Sequence, residues 1–314
     1  MIALLAPGQG SQTPGMLTPW LEGWVGSAQA AESIDRWSEA IGLDLRRLGT
    51  TAEADEIKDT AVTQPLVVAA ALIAAEALAA RIDLPVAVPA AGHSVGELAA
   101  AAIAGVLSPD AAVALAAVRG REMAAACALA PTGMSAVLGG DPDEVLARLK
   151  ELDLDPANRN GAGQVVAAGL LDALAALEEA PPGRARVKAL PVAGAFHTHF
   201  MAPAEDALRT HAEGVTPAEP TRPLLSNADG ETVTDGDEAL RRLVAQVTRP
   251  VRWDSCMASL RELGVTAVIE LPPAGALVGL VKRELKGTAT LALKSPDDLD
   301  KAVDLVREHT GAPS

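Results

Sequence analysis

Tyrosine is absent from this 314-residue chain, and phenylalanine and cysteine occur only twice each. With four tryptophans as the only other aromatic rings, the chain has little to stack against unpaired bases, and a formal charge of −15 repels phosphate backbones. No nucleic-acid partner is expected. The two cysteines, Cys127 and Cys256, are too few for a disulfide framework or a zinc site, and read as packing residues in a reducing compartment. The apolar opening Met1-Ile2-Ala3-Leu4-Leu5 carries no basic residue before it and is cut short by Pro7-Gly8, so it reads as a first strand and not as a signal peptide. Long unbroken apolar runs are missing too. Glu76 and Arg81 interrupt the stretch after Pro65, and the run from Leu98 to Leu107 falls well short of the roughly 20 residues a membrane span needs. A cytoplasmic protein without a membrane partner is expected.

What is plentiful is small and apolar. Hydrophobic residues make up 49% of the chain, many of them alanine, which is enough for one large domain or a large domain with a small insert. A strand over 2–6 runs into a Gly- and Gln-rich loop at 7–12. Helix patterns follow at 65–80, 95–104 and 109–128, with a strand at 86–92. This alternation predicts an α/β fold with a parallel sheet covered by helices. From about Pro131 the pattern changes to strand 134–139, helix 141–152 capped by Asp141, strands 157–160 and 164–169, helix 170–179 and strand 186–192. That β-α-β-β-α-β order is the ferredoxin-like pattern, and it predicts a subdomain at 131–193 inserted into a domain formed by 1–130 and 194–314. Helices at 202–214, 237–248, 276–285 and 296–308 and strands at 224–227 and 267–271 complete the second part.

Gly92-His93-Ser94-Val95-Gly96 lies between a strand and a small-residue helix, the context in which G-x-S-x-G exposes a serine oxygen on a sharp turn. The Val95 N–H and the start of the helix then face the carbonyl that Ser94 attacks. Serine needs a base, and the chain has five histidines. His309 and His211 sit in polar helices, and the His93 side chain leaves the elbow in another direction. His197 and His199 follow a strand and a glycine-containing turn, and either one suits the role of base. Arg119 sits in an alanine-rich helix, where its guanidinium calls for an anion; its planar fork suits a carboxylate.

These residues belong to a larger set. Pro7-Gly8-Gln9-Gly10-Ser11-Gln12, Thr63-Gln64-Pro65, Gly92 to Glu97, Arg119-Gly120, Asn158-Arg159-Asn160-Gly161, Gly163-Gln164-Val165-Val166, Phe196-His197-Thr198, and Gln246 followed by Pro250 and Trp253 resemble the malonyl-CoA:acyl-carrier-protein transacylases, in family order and over nearly the whole chain. The resemblance implies an α/β-hydrolase-like large domain with a ferredoxin-like insert. It implies Ser94 as the acylated serine and His197, not His199, as its base. It implies an oxyanion hole formed by the backbone N–H groups of Gln9 and Val95, and a substrate site formed by Arg119, Gln246, Phe196 and Asn160. It also implies that a main-chain carbonyl at Gln246 takes the place of a triad acid. The Ala195-Phe196-His197 ending resembles the malonyl-selecting version of this loop. Leu271-Pro272-Pro273-Ala274 departs from the family's usual Gly-Pro-Gly turn.

The expected reaction is ping-pong transfer of malonyl from malonyl-CoA to the phosphopantetheine thiol of an acyl carrier protein, for fatty-acid or polyketide synthesis. A monomer with no metal and no cofactor is expected. Arg184, Arg186, Lys188, Arg249 and Arg252 are candidates for docking an acidic carrier. A serine hydrolase such as a patatin-like lipase would share the elbow, but has no need of Arg119 or of the Gly8–Gln12 loop. A non-catalytic relative would be expected to lack Ser94 or His197.

Overall fold

The protein is described by a computed structural model covering residues 1–311. Strand β1 (Ile2–Ala6) is buried at every position. Its alternating side chains serve two apolar layers, Ile2, Leu4 and Ala6 on one face and Ala3 and Leu5 on the other, as in a parallel sheet covered on both sides. Helices α1 (Thr18–Leu21), α2 (Ser27–Ile41) and α3 (Leu45–Thr50) follow, in a stretch where no element was expected. Helix α4 (Thr60–Ala79) begins more than a turn before Pro65, because Asp59 caps it by accepting the Ala61 N–H at 2.8 Å. Among the described residues it is the one helix long and apolar enough to cross a membrane, and 78% of its apolar window is buried inside the protein.

Strand β2 (Ala90–Gly92) is shorter than the pattern suggested: Val86 is 74% exposed, and the ladder begins only after Pro89. Helices α5 (Gly96–Ile103) and α6 (Pro109–Cys127) follow, α6 capped by Ser108. Next come β3 (Thr132–Leu138), α7 (Pro142–Glu151), β4 (Asp155–Gly161), β5 (Gln164–Leu170), α8 (Leu171–Glu179) and β6 (Arg186–Ala189). Asp141 caps α7 by accepting the N–H groups of Asp143 and Glu144. These four strands form an antiparallel sheet in the order β4-β5-β3-β6, the split βαβ arrangement of a ferredoxin-like unit. One face packs Val137 and Ala167 against Val145 and Leu149 of α7 and Leu174 and Leu177 of α8. The other turns Met134 and Val166 toward the main core.

The chain returns through α9 (Ala202–Ala212), β7 (Leu224–Leu225), β8 (Thr232–Val233), α10 (Gly236–Ala245), α11 (Trp253–Glu262), β9 (Ala267–Glu270), α12 (Ala276–Glu284), β10 (Ala289–Ala292) and α13 (Leu299–Thr310). The main sheet has the order β10-β9-β1-β2-β7-β8 and is parallel except for the β7–β8 pair. The fold is therefore the mixed α/β, hydrolase-like arrangement expected. Helix α11 and the edge strands β8 and β10 were not anticipated; the two strands are only two and four residues long, too short for a periodic signal. The second sheet is tied to the segment before α11, where Arg159 N–H donates to the Val251 carbonyl (2.9 Å) and Val251 N–H to that of Ala157 (2.8 Å). Both cysteines are free, and Gly194 leaves room for Cys127, whose Sγ would lie 2.4 Å from a Cβ there.

Candidate active site

The β2–α5 turn is made possible by two glycines. A Cβ on Gly92 would lie 2.1 Å from the Gly96 backbone, and one on Gly96 would lie 2.3 Å from the Ala6 carbonyl. Between them Ser94 takes φ 53°, a left-handed conformation that is costly for a residue with a side chain. Asn227 holds this strained turn. Its Oδ1 accepts the Ser94 N–H at 2.8 Å, and its Nδ2 donates to the Gly92 carbonyl at 2.7 Å.

The elbow directs Ser94 Oγ to Nε2 of His197, 2.7 Å away. His197 also has a left-handed backbone, φ 63°, on the loop after β6. Its Nδ1–H donates to the main-chain carbonyl of Gln246 at 2.8 Å, which leaves the Nε2 lone pair facing the serine hydroxyl. Burial, with the Arg119 charge adding to it, pushes the imidazole down to about 3, so it stands neutral at pH 7. The other histidines take no part in this pair. His199 is exposed against Phe200, and His309 bonds Thr266. His93 points to Asn160, with Nε2 and Oδ1 2.8 Å apart.

Arg119 reaches the same point from α6. It is 2% exposed, and its Nη2 lies 3.3 Å from Ser94 Oγ. Two amide oxygens hold it, Gln64 Oε1 at 2.6 Å from Nη1 and Gln246 Oε1 at 2.9 Å from Nη2. A guanidinium has five N–H donors; these bonds use three, and the buried, partnerless Nε–H is one of the two left over. Burial pulls the group down to about 10, where it keeps its charge at neutral pH. Gly120 lets α6 approach α4, since a Cβ there would lie 2.6 Å from the Thr60 carbonyl.

The backbone N–H groups of Gln9 and Val95 donate to no acceptor among the described residues, and both residues border the cleft in front of Ser94. That cleft, about 420 Å³, lies between the main sheet and the second one. It takes in Ser94, His197, Arg119, Phe196 and Asn160. Gln246 is not on its wall; it lies behind, joining Arg119 to His197. Sequence reasoning gave no role to Gln64 or Glu97, although both sit inside motifs it singled out, and it passed over Asn227 and Arg283. Glu97 is buried beneath the elbow, and desolvation raises its carboxyl to about 7. Arg283 borders the cleft from α12, which begins just after the atypical Pro272-Pro273 loop. Among the described residues no cluster of His, Cys, Asp and Glu is arranged to hold a metal ion.

Ser94 Oγ beside a neutral imidazole, two backbone N–H groups without an acceptor among the described residues and a buried cation make a site suited to acyl transfer. Residues 4–307 match the family described as acyl transferase domain, and the chain belongs to that family and is an acyltransferase. Within it, the chain stands with the malonyl-CoA:acyl-carrier-protein transacylases: it is 61% identical over 306 residues to the malonyl CoA-acyl carrier protein transacylase of Mycobacterium tuberculosis, covering 97% of this chain and 100% of that one. The crystal structure of MCAT from Mycobacterium tuberculosis is 62% identical, with a TM-score of 0.91 over 96% of this chain and 98% of that one. A malonyl-transacylase solved in complex with its type II PKS acyl-carrier protein is 29% identical, with a TM-score of 0.87 over 97% of this chain and 99% of that one.

Proposed function

We propose that the protein transfers malonyl from malonyl-CoA to the phosphopantetheine thiol of an acyl carrier protein through a malonyl ester on Ser94. The observation that carries this reading is the buried Arg119, with donors to spare, 3.3 Å from Ser94 Oγ. His197 Nε2 takes the Ser94 proton as Oγ attacks the thioester carbonyl, and the N–H groups of Gln9 and Val95 hold the oxyanion. The C–S bond breaks, and the coenzyme A thiolate leaves with the proton from His197. The carrier thiol then gives its proton to His197 and attacks the ester. The serine oxygen leaves and is reprotonated, and the malonyl group departs as a new thioester. Throughout, Arg119 pairs with the malonyl carboxylate.

Residues 131–193 act as a subdomain that walls the cleft, supported by their own apolar cluster around Val137, Leu149 and Leu177. The cytoplasm is the proposed compartment, supported by two free cysteines and by the burial of α4 in the core. Intact-mass analysis after incubation with malonyl-CoA, acetyl-CoA and methylmalonyl-CoA tests the reading. A malonyl adduct is expected on the wild type and not on Ser94→Ala, and it passes to added carrier protein. Rapid release of coenzyme A with no adduct and no transfer would make the protein a hydrolase instead.

A further inference from the structure

Glu97 is 3% exposed, three residues beyond Ser94 in the first turn of α5, and it does not border the cleft. Its Oε1 accepts the backbone N–H of Asn227 at 2.9 Å, and its Oε2 accepts Nε2 of Gln246. The same Gln246 nitrogen reaches the Ser94 carbonyl at 3.1 Å and Asn227 Oδ1 at 3.2 Å. Gln246 Oε1, at the other end of the amide, takes the Arg119 Nη2 bond at 2.9 Å. One amide thus has acceptors on one side and a guanidinium on the other, and only one of its two orientations satisfies both.

We infer that Glu97 is a positioning residue for acyl selection: its carboxylate fixes the Gln246 amide with the oxygen toward Arg119, and so keeps the guanidinium beside Ser94 for the carboxylate of the acyl group. The inference rests on the malonyl-transfer reading above. Above its pKa of about 7 the Glu97 carboxylate is ionised and only accepts; besides the Ser226 hydroxyl, which can turn either way, two amide donors converge on it. One of them, the Asn227 N–H, belongs to the backbone and cannot be inverted. A neutral amide at position 97 has a single oxygen for these two donors, so its own NH2 must meet either Asn227 N–H or Gln246 NH2. Only the second conflict can be relieved, by turning the Gln246 amide over. That sets its NH2 against Arg119 and leaves buried donors facing each other, an arrangement that costs more than a hydrogen bond gains.

The test compares, at about pH 8, above the Glu97 pKa of about 7, acylation of Ser94 by malonyl-CoA and by acetyl-CoA in the wild type, Glu97→Gln, Gln246→Leu and the double variant, alongside their melting temperatures. Acetyl has no carboxylate and does not call on Arg119. Glu97→Gln is expected to slow malonylation much more than acetylation, so that the malonyl-to-acetyl rate ratio falls by roughly tenfold or more, the scale of one lost charge-assisted hydrogen bond. Gln246→Leu lowers the ratio comparably, and the double variant lowers it no further, because the two residues act in series. If Glu97→Gln does not fold, Glu97→Asp carries the same comparison, since its shorter carboxylate cannot serve both donors. Equal slowing of the two acylations, or additive losses in the double variant, would overturn the inference. A wild type that takes up no malonyl group would instead overturn the transfer reading on which it rests.

Discussion

Arg119 and Ser94 meet 3.3 Å apart at the floor of the cleft, a fully buried cation against a nucleophile, and no carboxylate of the described residues is ion-paired with that cation. Desolvating a charge without a counter-ion is costly, and here two amide oxygens from Gln64 and Gln246 offset only part of the cost. On the proposed function, the carboxylate of the malonyl group supplies the anion. Arg119→Ala should therefore slow malonylation of Ser94 by roughly a hundredfold or more, the usual scale for removing one partner of a buried charge pair. Acetylation should change little. Arg119→Lys should fall between, since an ammonium cannot bond Gln64, Gln246 and a carboxylate from one plane. Single-turnover release of coenzyme A measures both rates, and an unchanged malonyl preference in Arg119→Ala would remove the arginine from acyl recognition.

The oxyanion role proposed for the Gln9 N–H can be tested without touching a side chain that bonds. A Cβ on Gly8 would lie 2.7 Å from the His93 carbonyl and 3.2 Å from His93 Nδ1, so Gly8→Ala must push the Gln9 backbone away from the elbow. Loss of one oxyanion donor costs about 10² to 10³ in rate. Both malonylation and acetylation should fall on this scale, with their ratio unchanged, because the developing oxyanion is common to the two thioesters. The contrast with Arg119→Ala is the useful part: one variant alters the ratio and the other the absolute rates. Full activity in Gly8→Ala would show that the Gln9 N–H is not a donor.

The parts of the site that were legible in the sequence are those whose chemistry is local. The elbow needs glycines at 92 and 96 around a serine, and all three are neighbours in the chain. The base was narrower than a pattern could resolve: His197 and His199 are two residues apart, and only the resemblance favoured His197, which the geometry puts 2.7 Å from Ser94 Oγ. Asn227 was invisible because it stabilises the elbow from 133 positions away, through bonds to backbone atoms that leave no trace in composition. Gln246 was tied to the histidine through its carbonyl, but its side-chain grip on Arg119 depends on how three elements pack. In the fold, α2 was legible in principle, since Ala30, Ser33, Ile34 and Trp37 follow helical spacing on one buried face. Strand β10 was not, because its four residues lie at the sheet edge with all of them only partly buried.

Two buried groups bias stability with pH in opposite directions. Glu97 has its pKa raised to about 7 from 4.5 by desolvation, so it binds its proton more tightly when folded. Its contribution is fully present below about pH 4.5 and is lost as pH rises through 7. His197 has its pKa lowered to about 3 from 6.5 by burial and by Arg119. Its contribution is present above 6.5 and is lost as pH falls toward 3. Between pH 4.5 and 6.5 the two slopes oppose each other. Glu97→Gln removes one of them, so its melting temperature should climb more steeply with pH across this window than that of the wild type. Taking the difference between the two proteins cancels the titration of every group they share. Parallel curves would mean that Glu97 titrates the same way in the folded and unfolded chain.

The second sheet also presents a surface suited to an acidic carrier. Lys188 pairs across the ladder with Ala136 and Arg186 with Leu138, so both side chains lie on the same face of the sheet as Met134, which borders the cleft. Val187 between them turns to the helix-covered face. Arg184, Arg186, Lys188 and Arg249 are all exposed, and none is in an ion pair among the described residues. Arg252 differs: its Nε bonds Asp254 at 2.9 Å, and Arg159 reaches the same carboxylate at 3.2 Å, so one negative charge is shared by two positive ones. Under the proposed function an acidic carrier would need a local reversal of sign on this acidic protein, and the exposed Arg186 and Lys188 of β6 offer one on the outer edge of the cleft wall. Reversing Arg186 and Lys188 together to glutamate should raise the KM for the carrier several-fold and leave acylation by malonyl-CoA unchanged. The wild-type KM should rise with salt, and that of the double variant should respond less, because exposed charges are screened beyond about 8–10 Å at 0.1–0.15 M ionic strength. If both half-reactions weaken equally, the β6 face is not where the carrier docks.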